Sequence, residues 1–108
     1  MTHKLSQFLL ISLLSGCMGA LPAVTADTAL LAQTLWPDAT QAQLEQGRSM
    51  YVARCGGCHA LVPPARRSPV QWRSDVSEMA PRARLSQEES LAVLRYLVTV
   101  NRPTGATR

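Results

Sequence analysis

The sequence predicts an all-α fold, because it contains three helix start signals and no strand pattern. At three places a hydroxyl residue lies three positions before a Gln or Glu, which is the pattern of a capping box. These places are Thr40-x-x-Gln43, Ser68-Pro69-x-Gln71 and Ser86-x-x-Glu89. No alternation of apolar and polar residues, the usual mark of a strand, occurs along the chain. We therefore expect three helices in one small domain, since 108 residues allow no more.

The apolar spacing predicts which faces of these helices are buried. In the second helix, Trp72, Val76 and Met79 fall on one face. In the last helix, one apolar stripe is formed by Leu91, Leu94 and Val98. Leu97 lies beside this stripe, and Tyr96 lies towards its flank. Asn101-Arg102-Pro103 ends that helix.

The N-terminal residues 1–16 are interpreted as an export signal. A short apolar run over 8–14 is too short to span a bilayer. Leu14-Ser15-Gly16-Cys17 resembles a bacterial lipobox, in which the leader is cut before a Cys that then carries lipid, whereas the alternative is cleavage after Ala26. Both predict a periplasmic protein, and the first predicts a lipoprotein.

The rest of the chain divides by composition into three parts. Residues 17–39 are expected to form a tether with a short helix near 28–35, residues 40–101 the domain, and residues 102–108 a tail. Trp36 near the end of the tether is expected either to cover part of a cofactor edge or to pack on the domain surface.

Cys55-Gly56-Gly57-Cys58-His59 is the segment that carries the most chemistry. C-x-x-C-H is the attachment signature of c-type haem, in which the two thiols bond to the haem and the adjacent imidazole ligates the iron. A zinc site needs four ligands, and only three Cys or His residues lie beyond Cys17. A thioredoxin-like redox pair lacks its βαβ unit, and a structural disulfide would close a very small loop. The motif therefore predicts one covalent haem with His59 as the proximal ligand.

A second axial ligand has few candidates. The other His, His3, lies in the leader, and no Lys occurs after the leader. The remaining choices are Met50, Met79, Tyr51, Tyr96 and no ligand. Met50 leads directly into the attachment segment and is badly placed to reach the far face, whereas Met79 lies twenty residues beyond His59. We predict Met79 as the distal ligand, the alternative being an ordinary core residue.

The charge balance excludes one class of partner. After Gly16 the chain has ten Arg, no Lys and seven acids, a formal charge of +3. Two haem propionates would lower this charge to about +1, which is too small to indicate binding of nucleic acid. A domain of this size with one Phe has a thin core. We therefore expect it to fold poorly without haem.

Together these features resemble the small class I cytochromes c over residues 40–101. In that family a Gly and an aromatic residue lie eight and four positions before the first haem Cys, here Gly47 and Tyr51. Such a Gly contacts an aromatic residue of the last helix, here Tyr96. The resemblance implies a three-helix domain wrapped around one haem, which carries single electrons and has no catalytic residue.

The resemblance also implies partners and leaves two alternatives. The expected partners are redox proteins, namely a dehydrogenase, an oxidase or another cytochrome, and a membrane would be contacted only through a lipid anchor. The layout is also similar to compact haem subunits of periplasmic dehydrogenases, while an open distal site would suit a small haem enzyme. The short interval between His59 and Met79 departs from longer family members, and the proline that buttresses the proximal His is Pro63, Pro64 or Pro69.

Overall fold

A computed structural model describes residues 21–57 and 60–102, and all the regular structure in these ranges is helical. The four helices are α1 (Ala26–Gln33), α2 (Gln41–Met50), α3 (Pro69–Arg82) and α4 (Gln87–Thr99). A π-helical turn (Tyr51–Cys55) continues α2, and a short 3-10 turn (Pro64–Arg66) precedes α3. The predicted all-α class is confirmed for this part of the chain. None of the helices described here has both the length and the apolarity needed to cross a bilayer.

The capping boxes predicted for the last two helices are both present. The Ser68 hydroxyl accepts from the Gln71 backbone N–H at 3.2 Å, and the Gln71 side chain accepts from the Ser68 N–H at 2.9 Å. Ser86 and Glu89 make the same pair of hydrogen bonds at 3.1 and 2.8 Å. Because these bonds satisfy N–H groups that a helix leaves unpaired, they fix where α3 and α4 begin.

The box predicted for α2 is only half formed. The Thr40 hydroxyl accepts from the Gln43 N–H at 3.1 Å. The Gln43 side-chain oxygen instead accepts from the Arg95 guanidinium of α4 at 3.0 Å. The Gln43 side chain therefore joins two helices rather than closing its own cap.

The closest helix contact is the crossing of α2 and α4. Gly47 is buried there, and a Cβ built on it would lie 2.0 Å from the Ala92 carbonyl oxygen and 3.0 Å from the Tyr96 Cβ. Only a residue without a side chain allows the two backbones to approach so closely. The contact between Gly47 and the helix of Tyr96 is therefore present as expected.

The stripe predicted for α4 is wrong in part. Leu91 is 39% exposed, and Tyr96, expected at the flank, is fully buried. The buried residues are Ala92, Val93, Arg95, Tyr96, Leu97, Val98 and Thr99. The reason is that α4 contacts α2, α3 and α1, so its buried surface is wider than one stripe.

The described part of the predicted tether is folded onto the domain. The short helix expected near 28–35 is α1, and its Ala29 and Ala32 are buried with Ala39 and Leu44. Trp36 is half-buried, with the Arg95 guanidinium 5.4 Å from its ring centroid. Trp36 therefore takes the second of its two expected roles, packing on the domain.

A tight turn joins α3 to α4. Arg84 has φ 55°, and its N–H donates to the Pro81 carbonyl at 3.2 Å while the Leu85 N–H donates to the Ala80 carbonyl at 3.0 Å. This pair of bonds is the Schellman motif, which satisfies the last carbonyls of a helix. Pro81 lies within the last turn of α3, and the helix ends one residue after it.

Candidate functional site

An apolar cavity of about 750 Å³ lies between the π-helical turn, α3 and α4. Its volume falls in the range of ligand and cofactor sites. Its apolar walls are formed by Tyr51, Val62, Trp72, Val76, Met79, Ala80, Ala83, Leu85, Val93 and Leu97. The same elements carry the main core, whose buried residues are Tyr51, Trp72, Val76, Val93, Tyr96, Leu97 and Val98. These elements therefore leave a space large enough for a cofactor-sized group.

The π-helical turn places Cys55 at this cavity. Cys55 is half-buried and lines the wall. At the next position, a Cβ on Gly56 would lie 2.7 Å from the Val52 carbonyl oxygen, so the chain needs a Gly to leave the helix here. Single π turns occur frequently at functional sites. The sequence predicts a helix up to Cys55 but has no signal for the wider turn.

The second Cys and the His of the attachment motif lie outside the described part of the chain. Cys58 and His59 fall between the two described ranges, and Cys17 and the export signal precede them. Their predicted roles as thioether link, proximal ligand and lipidation site stay predictions.

Of the two methionines in the described part of the chain, Met79 lines the cavity. It is half-buried in the last turn of α3, on the face of Trp72 and Val76, and it lines the wall. Met50 packs against the main core instead and is not a lining residue. This placement favours Met79 over Met50 as a ligand.

The two tyrosines are engaged in hydrogen bonds to the backbone. The Tyr51 hydroxyl donates to the Val62 carbonyl at 2.6 Å, and its ring meets Trp72 edge-on at 5.9 Å between centroids. Burial raises the pKa of Tyr51 to about 12. The Tyr96 hydroxyl donates to the Pro22 carbonyl at 2.7 Å, and burial raises the pKa of Tyr96 as well. Both hydroxyls are therefore neutral at neutral pH and already donate to backbone carbonyls.

The loop before α3 is fixed by its carbonyl groups. The Pro64 carbonyl accepts from the Trp72 indole N–H at 2.9 Å and from the Asn101 side-chain amide. The Pro63 carbonyl accepts from the Arg66 N–H at 3.0 Å. Of the three candidate prolines, Pro64 is the buried one, and its carbonyl already receives donors from two parts of the chain.

The rim of the cavity carries an excess of positive charge. Arg67 and Asp75 form a two-pronged pair at 2.8 and 2.9 Å, and this partner raises the pKa of Arg67. Arg82 and Glu78 form a looser, exposed pair at 3.7 Å. The other two arginines of the lining, Arg54 and Arg66, form no salt bridge to a carboxylate of the described residues.

Arg54 also holds the cavity rim in place. Its guanidinium donates to the Ala83 carbonyl at the end of α3, at 3.4 Å. This contact links the π-helical turn to the far wall.

Sequence reasoning missed part of this site. Val93 and Leu97 share a face of α4 at a spacing of four, and that signal was available but was assigned to a neighbouring stripe. The Arg67–Asp75 pair joins a loop to a helix and has no local signal. Across residues 21–57 and 60–102, no three His, Cys, Asp or Glu side chains converge as a metal site would require.

Comparison of the chain with protein-family models, curated proteins and solved structures gave no match. A function for this protein therefore has to be argued from its own motif and cavity.

Proposed function

We propose that this protein carries single electrons on one c-type haem, bonded to Cys55 and Cys58 and ligated by His59 and Met79. The observation that carries the proposal is that Cys55 and Met79 lie in the wall of one apolar cavity of about 750 Å³. Cys55 opens the C-x-x-C-H motif, so the attachment segment begins at the mouth of a space with the size of a cofactor site.

The residues of the cavity fit the chemistry of a haem. The macrocycle is apolar, and the walls are formed mainly by aliphatic and aromatic side chains. The propionates are anionic, and Arg54 and Arg66 are cationic lining residues without carboxylate partners in the described chain. Arginine binds carboxylates well because its donors form a planar fork.

The bound haem supplies an iron that accepts and releases one electron. The residues around the cavity exclude water and keep their positions through hydrogen bonds to backbone carbonyls, as Tyr51 and Trp72 do. If Met79 and His59 held the iron, the thioether would favour a higher reduction potential than stronger donor sets give. These residues therefore support electron transfer rather than substrate turnover.

We place the protein outside the cytoplasm, on the basis of its export signal. Its partners are redox proteins that dock transiently, since redox encounters tend to bury small interfaces. A lipid on Cys17 would hold it at the membrane, and a stable complex with a dehydrogenase would make it a haem subunit.

The test is a pair of methionine variants in the exported holoprotein. We expect Met79→Ala to abolish the near-infrared charge-transfer band of methionine-ligated ferric iron, and Met50→Ala, the matched control, to keep it. Met50 packs in the core away from the lining, so its loss affects stability only.

Two results would contradict the proposal. A Met79→Ala protein that keeps the band would remove Met79 as a ligand. High-spin ferric iron in the unmodified protein would indicate an open distal site and favour a small haem enzyme. The intact mass of the exported chain shows whether one haem is attached.

A further inference from the structure

Residues 21–25, here called the N-terminal strap, are tied to the crossing of α2 and α4. The Leu21 carbonyl accepts from the Arg48 guanidinium at 3.3 Å. The Pro22 carbonyl accepts from Arg48 at 3.3 Å and from the Tyr96 hydroxyl at 2.7 Å. Tyr96 is fully buried, so the strap supplies the acceptor for a phenol that has no access to water.

The strap also contributes to the core and to the start of α1. Leu21 and Val24 pack against the main core, and Val24 touches the second cluster around Leu44 as well. The Thr25 hydroxyl accepts from the Thr28 N–H at 3.2 Å, and the Thr28 hydroxyl accepts from the Thr25 N–H at 3.0 Å. An eight-residue helix is too short to be stable alone, so α1 depends on this cap and on its packing.

Cleavage of the chain after Ala26 would remove all of these contacts. The Tyr96 hydroxyl would lose its backbone acceptor, and the core surface that Leu21 and Val24 cover would be exposed to water. Helix α1 would lose its cap and begin with a charged amino group at Asp27, and a positive charge at a helix N-terminus opposes the helix dipole. The folded domain described here therefore requires residues 21–26.

We infer that the exported protein keeps the strap, and that its export signal is removed upstream of Leu21. The inference rests on the export that the proposed function includes. Of the two candidate cleavage sites, only the one before Cys17 meets this condition. The step is hydrolysis, by water and the export peptidase of the host, of the peptide bond between Gly16 and Cys17.

The direct test is the N-terminus of the full chain after export from a bacterial host that attaches haem c. We expect the mature mass and N-terminal sequence to start at Cys17, with or without added acyl groups. Ala26→Gln, which spoils the small-residue site, should leave this start unchanged, whereas Cys17→Ser should abolish it. A mature chain that starts at Asp27 would overturn the inference.

A second measurement tests the strap in the intact holoprotein. We expect Tyr96→Phe to increase hydrogen–deuterium exchange of the Thr28 and Ala29 amides at least tenfold, because the strap loses its buried donor. Tyr51→Phe is the matched control, since it removes a phenol that donates to the Val62 carbonyl instead. Equal exchange in the two variants would show that the strap does not depend on Tyr96 and would count against the inference.

The haem spectrum separates this inference from the proposed function. A chain that starts at Asp27 and still carries haem would refute the strap while leaving electron transfer standing. A chain that starts at Cys17 but carries no haem would support the strap and refute electron transfer.

Discussion

Tyr51 shows how single residues shape the cavity. Its ring covers part of the wall against Trp72, and its hydroxyl fixes the loop that follows the attachment segment by donating to Val62. Because the phenol is buried with a backbone acceptor, it is held in its neutral form. Tyr51 therefore forms part of the cavity wall and also holds the loop at Val62 in place.

The raised pKa of Tyr51 predicts a loss of stability at high pH. Its pKa is about 12 in the folded protein against 10 for an unperturbed phenol, so its contribution is complete below pH 10 and is lost as the pH rises towards 12. The full contribution is about 3 kcal/mol at most, since one pKa unit corresponds to about 1.4 kcal/mol. Urea titrations at several pH values measure it.

Tyr51→Phe is the variant that isolates this effect. It should flatten the fall in unfolding free energy between pH 10 and 12 without removing it, because the pKa of Tyr96 is also raised. Identical pH profiles for the variant and the unmodified protein would show that Tyr51 does not titrate as described.

At this scale the sequence predicts residues with strong local signals and misses those that depend on tertiary contacts. Met79 follows from helical spacing, and it does line the cavity. Gln43 has the right spacing for a capping box, yet its side chain bonds Arg95, fifty-two residues away. No local pattern contains that contact, because Arg95 reaches it only after α4 packs on α2.

Among the elements, the crossing of α2 and α4 is the contact most sensitive to substitution. A Cβ at Gly47 would overlap the Ala92 carbonyl oxygen. We expect Gly47→Ala to lower the unfolding free energy by about 3 kcal/mol or more, because the backbones have to separate. Thermal unfolding of the holoprotein measures the loss.

Ser49→Ala is the control for this prediction. Ser49 is exposed on the same helix, so the change should stay within about 0.5 kcal/mol. Similar losses for the two variants would indicate a general effect of substitution in α2 rather than a steric one at the crossing.

The turn between α3 and α4 offers a stabilising change. Arg84 has a positive φ, which is unfavourable for any residue with a Cβ. Arg84→Gly should raise the unfolding free energy by up to about 1 kcal/mol, whereas Arg82→Gly, inside α3, should lower it by about 1 kcal/mol. A lower unfolding free energy in both variants would show that the Arg84 side chain stabilises the fold by more than its positive φ destabilises it.

The elements themselves were largely predictable, since the starts of α2, α3 and α4 each have a capping hydroxyl. Which residues of α4 are buried was not predictable, because a helix that contacts three others has no single polar face to mark its orientation. Likewise, α1 has few large apolar residues in contact with the core, so its buried alanines gave no clear period.

For the whole molecule, the proposed haem would form part of the core. The cavity is lined mainly by apolar side chains that would face water if it stayed empty. We expect a Cys55→Ala, Cys58→Ala double variant to lose cooperative thermal unfolding and near-ultraviolet circular dichroism while keeping much of its helix signal. The unmodified holoprotein is the control. A double variant that unfolds as sharply as the control would show that the polypeptide is stable without its cofactor.

The shared acceptor at Pro64 has a consequence for changing this protein. The Pro64 carbonyl oxygen accepts one hydrogen bond from Trp72 in α3 and a second from Asn101, just after α4. The loop that contains Pro64 therefore links α3 to the end of α4. Inserting even one residue between Ala60 and Pro64 would displace that oxygen from both donors at once. A peptide tag or graft therefore belongs elsewhere in the chain.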